Sequence, residues 1–314
     1  MSGMLDSVDQ RTNLVGENRL ELLIFKLNSR QLFAINVFKV KEVVKLPKLN
    51  RLPGSHSSIT GVATLRGTSI PVIDLRAAIG MPGKQDVDSA NLIITEYNRT
   101  VQGFWVGEVA HIVNTSWKDV LPPPNTAGRG NYLTAITKIT DGDGEQLVEI
   151  IDVEKVLAEI VDYDATISEE VLDHDVASHL AGKKVLVVDD SSTARQQVKA
   201  TLGQLGMEFI EAENGRQALD FLKQVADEGK DIDQELLLMI TDAEMPEMDG
   251  YRLTAEIRDD PRLSKMFITL NTSLSGSFNE AMVKKVGCDR FISKFQPDLL
   301  VDVVQQRMRE LLSK

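Results

Sequence analysis

The chain has 314 residues, 42% hydrophobic and 26% charged, enough for two ordinary cores and too apolar for a wholly disordered polymer. Its net charge of −12 lacks the basic field that gives proteins their general grip on nucleic acid, so nucleic acid is excluded as the expected partner. The single cysteine, Cys288, rules out an internal disulfide; with no apolar run near the ~18 residues of a membrane span and no secretory pattern at the N-terminus, a cytoplasmic protein without direct membrane insertion is expected.

Residues 20–27 and 32–35 read as a hairpin around Asn28-Ser29. Further strand pairs follow at 61–65 with 69–73, 91–97 with 101–109, and 132–139 with 146–151. They are joined through Arg66-Gly67, Asn98-Arg99 and a 141–144 turn whose glycine can reach positive φ without steric penalty. Two stretches carry helical spacing: 153–160, and 36–44, where Asn36 can cap and Val37, Val40 and Val44 share a face. The three valines are expected in the core, and Lys39 and Glu42, on the opposite face, at the surface. Short strands at this spacing predict a β-rich barrel or sandwich over 20–160, behind a flexible 1–19.

Residues 161–182 hold six acidic side chains, from Asp162 to Asp175, and no arginine or lysine. With no clear apolar period, this stretch is expected to be an acidic linker containing at most one short helix. From 183 to 314 strand and helix patterns alternate: strands 184–189, 208–211, 236–242, 266–271 and 290–293, and helices 191–205, 215–226, 251–258, 278–286 and 297–312. That alternation predicts a doubly wound parallel sheet, whose ligands bind at the carboxyl ends of the strands.

Asp189 and Asp190 close the first of these strands and Asp242 the third; in the order 2-1-3-4-5 those strands are neighbours. Three converging carboxylates raise one another's pKa or require a cation, and an oxygen-only site suits Mg2+. The ion would screen an incoming phosphoryl group and let Asp242 act as nucleophile toward phosphorus. The fourth and fifth strands run into Thr272, a hydroxyl donor for a phosphoryl oxygen, and Lys294, a point charge for the same anion. Singly, each is as readily a cap, a turn residue or a solvated lysine; the reading rests on their meeting at four strand ends.

The segments VLVVDDSSTAR (185–195), MITDAEMPEMDGY (239–251), LNTS (270–273) and the lysine after FIS (291–293) resemble a response-regulator receiver domain. The resemblance implies a flavodoxin-like (βα)5 fold and transfer of phosphate from a histidine kinase's phosphohistidine to Asp242. It further implies Mg2+ held by Asp190, Asp242 and the backbone carbonyl of Glu244, assisted by Asp189, with Thr272 and Phe291 reading out the phosphate. Two features depart from the pattern: Phe295 follows Lys294 where receivers usually have proline, and residues 226–234 lengthen the connection before the third strand. An aspartate-nucleophile phosphatase is disfavoured, because Asp189-Asp190-Ser191 and Asp242-Ala243-Glu244 both miss its DxD pair.

Residues 1–160 hold no basic helix, Cys/His cluster, glycine-rich phosphate loop or recognisable nucleophile–base pair, which favours a binding module over an enzyme. Their segments ELLIFKL, LFAINVFKVKEVV, GVATLRGTSIPVIDL, ANLIITEYN, VGEVAHIV and VEIIDVEKVL resemble the chemotaxis coupling protein CheW. This implies two intertwined five-stranded β-barrels and a partner-binding surface around Leu65-Arg66-Gly67, with Glu42 and Lys39; family members carry Asn where Thr64 stands. A coupling domain over 20–160 joined to a receiver over 183–314 is the arrangement of the CheV chemotaxis proteins. The implied role is a non-enzymatic scaffold at membrane-associated receptor arrays, coupling methyl-accepting chemoreceptors to the histidine kinase CheA and tuned by phosphorylation of Asp242. At most it would dephosphorylate itself slowly. A phosphate sink for the kinase is the alternative; a transcriptional regulator is disfavoured by the acidic charge.

Overall fold

The computed structural model describes residues 19–83, 86, 90–97, 100–116, 119–121, 132–141, 144–160, 164–272, 286–294 and 296–313. The chain forms two compact units that divide between Asp162 and Tyr163. The N-terminal stretch expected to be flexible lies, but for Arg19, outside the described residues.

The first unit is built from β1 (Arg19–Lys26), β2 (Leu32–Asn36), β3 (Glu42–Lys45), β4 (Ile59–Leu65), β5 (Thr68–Asp74), a one-turn α1 (Leu75–Ala78), β6 (Asn91–Tyr97), β7 (Thr100–Val106), β8 (Val109–Ser116), β9 (Val120–Leu121), β10 (Leu133–Asp141), β11 (Gly144–Ile151) and α2 (Val153–Ile160). Two curled sheets result, in the orders β8-β1-β2-β11-β10-β9 and β3-β6-β7-β5-β4. The first thus carries six strands where five were expected, the extra one being the two-residue β9. Period-2 alternation on β1 sends Leu22 and Ile24 into one core, with Ala34 and Val148, and Leu23 and Phe25 into another. That second core, with Phe33, Ile73, Phe104, Val156 and Leu157, lies between the sheets and buries one side of α2. Ala63, Val72, Leu92 and Ile94 fill the second sheet. This sheet closes where Asn50 and Val62 exchange both backbone hydrogen bonds, at 2.9 and 2.8 Å. The closure requires glycine at 61, where a Cβ would stand 2.5 Å from the Asn50 carbonyl oxygen.

The helix expected over 36–44 is not formed. Asn36 ends β2, Val37–Lys39 makes a single 3-10 turn, and Glu42–Lys45 is strand β3 paired with β6. Stiff β-branched valines favour a pleated edge over a short helix. Val37 and Val40 still pack on the central core, and Val44 on the second sheet's. The strand expected over 101–109 is two: β7 ends at Val106, and β8 pairs with β1 at the sheet's edge. Its polar, half-exposed residues give little alternation to read.

The second unit holds α3 (His174–Ala177), β12 (Lys184–Val188), α4 (Ser192–Leu202), β13 (Glu208–Ala212), α5 (Gly215–Asp227), α6 (Ile232–Glu235), β14 (Leu238–Thr241), α7 (Gly250–Asp259), β15 (Ile268–Thr272), β16 (Arg290–Ser293) and α8 (Pro297–Leu312). Its sheet is parallel in the order β13-β12-β14-β15-β16, which is 2-1-3-4-5 within the unit. Buried on both faces, the central strands are continuously apolar: Val185, Val187 and Ile240 meet Val198, Leu202, Val301 and Val304 of α4 and α8, while Leu186, Val188 and Met239 meet Leu219, Leu222, Leu253 and Ile257 of α5 and α7. The helix expected over 278–286 lies, except for Val286, outside the described residues. The long connection before β14 contains α6, capped by Asp231.

The stretch expected as a linker is bound into this unit from residue 165 onward. Val176 and Leu180 are core residues, and Ile167, Val171 and Leu172 pack against them over α4 and α8. Polar groups fasten it: the Ser168 amide and hydroxyl both donate to the Asp298 carboxylate at 2.9 and 2.8 Å. The wholly buried Gln305 side chain accepts from the Asp173 amide and donates to the Val171 carbonyl, and Gln204 donates to the Ala165 carbonyl. The five apolar residues 167, 171, 172, 176 and 180, at steps of about one helical turn, were the readable signal among the acidic ones.

Candidate functional site

At the carboxyl ends of β12 and β14, Asp189, Asp190 and Asp242 each offer a carboxylate oxygen, and the three oxygens lie within 4.8 Å of one another. Asp189 and Asp242 are buried; Asp190 is half-exposed. The Asp189 Oδ1 accepts the Ser191 amide at 2.9 Å, and Asp242 Oδ1 accepts the Ala243 amide at 2.8 Å. Across the sheet, the Lys294 ammonium reaches over from the end of β16, 2.8 Å from Asp189 Oδ2 and 3.0 Å from Asp242 Oδ2. A buried lysine between two buried carboxylates offsets the desolvation that would otherwise expel one charge.

Parallel register sets this geometry. Val188 pairs with Thr241 and Thr272 with Ser293, so the residues that follow emerge together at one edge. The Lys294 amide donates to the Thr272 carbonyl at 2.9 Å, placing the buried Thr272 beside the lysine. Phe291, paired with Leu270, packs with Tyr251 and Ala243 in a small apolar cluster below. Burial, then the nearby Glu244 and Asp242 carboxylates, push the Tyr251 hydroxyl well above the usual phenol range, and burial raises the Cys288 thiol to about 11. Phe295 lies outside the described residues.

In the first unit, the two-residue turn between β4 and β5 has Arg66 and Gly67 both at positive φ, 49° and 84°. An arginine there sits in a region its side chain disfavours. Its side chain is 83% exposed, and its guanidinium lies 2.6 Å from the carboxylate of Glu42, on β3. Lys39 is placed differently from Glu42: its ammonium is 3.2 Å from the buried Glu154 of α2. Leu65, half-buried, packs on the second sheet's core.

Sequence reasoning missed Arg195. It stands four residues after the cap Ser191, so one helical turn returns its side chain to the loop that carries the acids, and that spacing was the available signal.

The CheW-like domain family matches residues 21–161, and the response regulator receiver domain family matches residues 185–305. Chemotaxis protein CheV3 of Helicobacter pylori is 30% identical over 299 residues, covering 92% of this chain and 94% of its own. Chemotaxis protein CheV1 of the same organism is 30% identical over 325 residues, covering 98% of each. The solved scaffolding protein TtCheW from Thermoanaerobacter tengcongensis, 28% identical, aligns with 42% of this chain and 83% of its own at a TM-score of 0.38.

Proposed function

Because the chain belongs to the CheV family of chemotaxis proteins, we propose that it is a chemotaxis coupling adaptor whose receiver unit accepts a phosphoryl group on Asp242. The CheW-like unit would join chemoreceptors to the kinase CheA, and the receiver would tune that coupling. The supporting observation is the site itself: Asp242 at the end of the central strand, 3.0 Å from the Lys294 ammonium and clustered with Asp189 and Asp190. As in the resemblance drawn from the sequence, this is a non-enzymatic scaffold working in the cytoplasm at receptor arrays.

Phosphorylation forms one bond, from the Asp242 carboxylate to phosphorus, and breaks one, to the nitrogen of the donor imidazole, which leaves with a proton. Lys294 offsets the charge of the attacking carboxylate and then pairs with a phosphoryl oxygen. The Thr272 hydroxyl donates to a second one, and Phe291, packed with Tyr251 in the small cluster below, is the ring that would respond to the threonine. The donor set fits Mg2+, being all oxygen with three carboxylates in reach of one centre: Asp189, Asp190, Asp242 and the Glu244 carbonyl would hold the ion. When bound, it supplies positive charge that admits a phosphoryl group to an acidic pocket.

On the first unit, Arg66, Glu42 and Leu65 form the contact surface for kinase or receptor. Lys39, held by Glu154, is the remaining candidate for that contact. The deciding experiment compares wild type and Asp242→Asn in two assays. Acetyl phosphate with Mg2+ should label wild type up to one phosphate per chain and leave the variant unlabelled; equal labelling excludes Asp242 as acceptor. Kinase control in reconstituted receptor arrays should respond to the phosphodonor with wild type only. Labelling without any such response would leave a phosphate sink.

A further inference from the structure

Arg195 has no part in the chemistry above, yet the residue is buried beneath the acidic loop, only 9% exposed. Its Nη1 donates to the Asp189 carbonyl at 2.7 Å and lies 3.4 Å from that of Asp190. Nε donates to Glu211 at 3.1 Å, at the end of β13, and Nη2 lies 3.6 Å from Glu213. Glu211 is itself fixed from the other side by Lys199, at 2.5 Å. One planar fork therefore ties three segments together: the loop after β12, the first turns of α4, and the end of β13.

We propose that Arg195 is the positioning residue of the cation site, setting the directions from which Asp189 and Asp190 present their carboxylates. The inference rests on the reading that these residues, with Asp242, hold a divalent cation. A peptide group is planar, so drawing the Asp189 and Asp190 carbonyls to one guanidinium fixes the planes 189–190 and 190–191 and so the Cα–Cβ bond of Asp190; the Asp189 amide, donating to the Ala212 carbonyl at 3.1 Å, fixes the preceding plane and with it that of Asp189. The acids are then aimed by their backbone. Lysine cannot replace the fork, since a single ammonium does not reach two carbonyls and a carboxylate in fixed directions.

Two physical roles for this arginine predict opposite signs. A cation buried near the pocket repels a divalent ion, so if Arg195 acted through its charge alone, removing it would tighten Mg2+ binding. If it acts by aiming the ligands, removing it weakens binding, by about tenfold or more as for other groups that orient metal ligands.

The test is calorimetric titration of the full-length protein with Mg2+, beside a melting curve for each variant. Arg195→Gln and Arg195→Lys should both raise the Kd about tenfold. Glu211→Asp, which keeps both charges but draws the anchoring carboxylate back from the guanidinium, should raise it by about threefold, and Glu213→Asp by less. A Kd unchanged or lowered in those Arg195 and Glu211 variants that still melt cooperatively overturns the assignment, leaving Arg195 a packing residue. If wild type itself fails to bind Mg2+, it is the underlying cation reading that fails, so the two failures are separable. Should both Arg195 variants fail to fold, Glu211→Asp decides.

Discussion

The backbone of Gly250 passes so close to Asp242 that a Cβ on the glycine would stand 2.0 Å from the Asp242 carbonyl oxygen. The glycine amide donates to the Ala243 carbonyl at 3.0 Å, so the first turn of α7 is fitted against the acceptor's own peptide. At an unconstrained helix position, alanine would stabilise by up to about 1 kcal/mol over glycine. Gly250→Ala should instead destabilise by about 1–3 kcal/mol, as overpacking does, and displace Asp242, cutting acetyl-phosphate labelling severely. Urea denaturation and labelling stoichiometry check both; a stabilised, fully labelled variant would show that the close approach is not functional.

Lys294 stands between Asp189 and Asp242, and removing one partner of a buried ion pair typically costs about 3–5 kcal/mol. Lys294→Met should lose stability of that order without Mg2+. A divalent ion supplies the missing charge, so Mg2+ should raise the melting temperature of the variant more than that of wild type. Equal shifts would show that the ammonium is not what balances these carboxylates.

At the turn between β4 and β5, stability and function should separate. The Arg66–Glu42 pair is exposed and worth at most about 1 kcal/mol to the fold. The left-handed backbone at Arg66 costs about as much with any side chain bearing a Cβ. Arg66→Gly should therefore leave the melting temperature unchanged or slightly higher, while kinase and receptor recruitment in pull-down falls. Undiminished recruitment would remove Arg66 from the interface.

Asp173 fastens the docked segment, and its carboxyl is held below the usual range by the Val176 amide and then by Arg309. A depressed carboxyl stabilises the docked state in full above its unfolded pKa, near 4, and loses that contribution as pH falls through the folded value. Amide-exchange protection factors over 165–180 should therefore drop below about pH 4 before those of β12 do. Asp173→Asn should lower the same factors at neutral pH; parallel loss in both regions would mean the segment has no separate stability.

The receiver was legible because each chemical residue ends a strand, and the parallel order alone gathers Asp189, Asp190, Asp242, Thr272 and Lys294 at one edge. What escaped was whatever depends on side chains meeting across the chain. Arg195 reads as an ordinary helix residue until the loop carbonyls are placed above it. Residues 36–44 carry three valines at helical spacing, yet strand β6 supplies a pairing edge that no local pattern announces. Residues 164–182 read as solvated because acidic side chains interrupt the apolar residues that dock, hiding their helical spacing.

The anchoring of that segment governs how far the units can range. Only residues 161–164 separate the end of α2 from the first anchor at Ala165, a span of about 15 Å fully extended. Releasing the chain as far as Leu180 would pay out some twenty residues, roughly 70 Å of tether. Effective concentration falls steeply once a flexible tether outgrows the gap it must bridge. Stripping this segment from α8 would thus thin out each unit's encounters with whatever its neighbour holds, with neither folded surface altered.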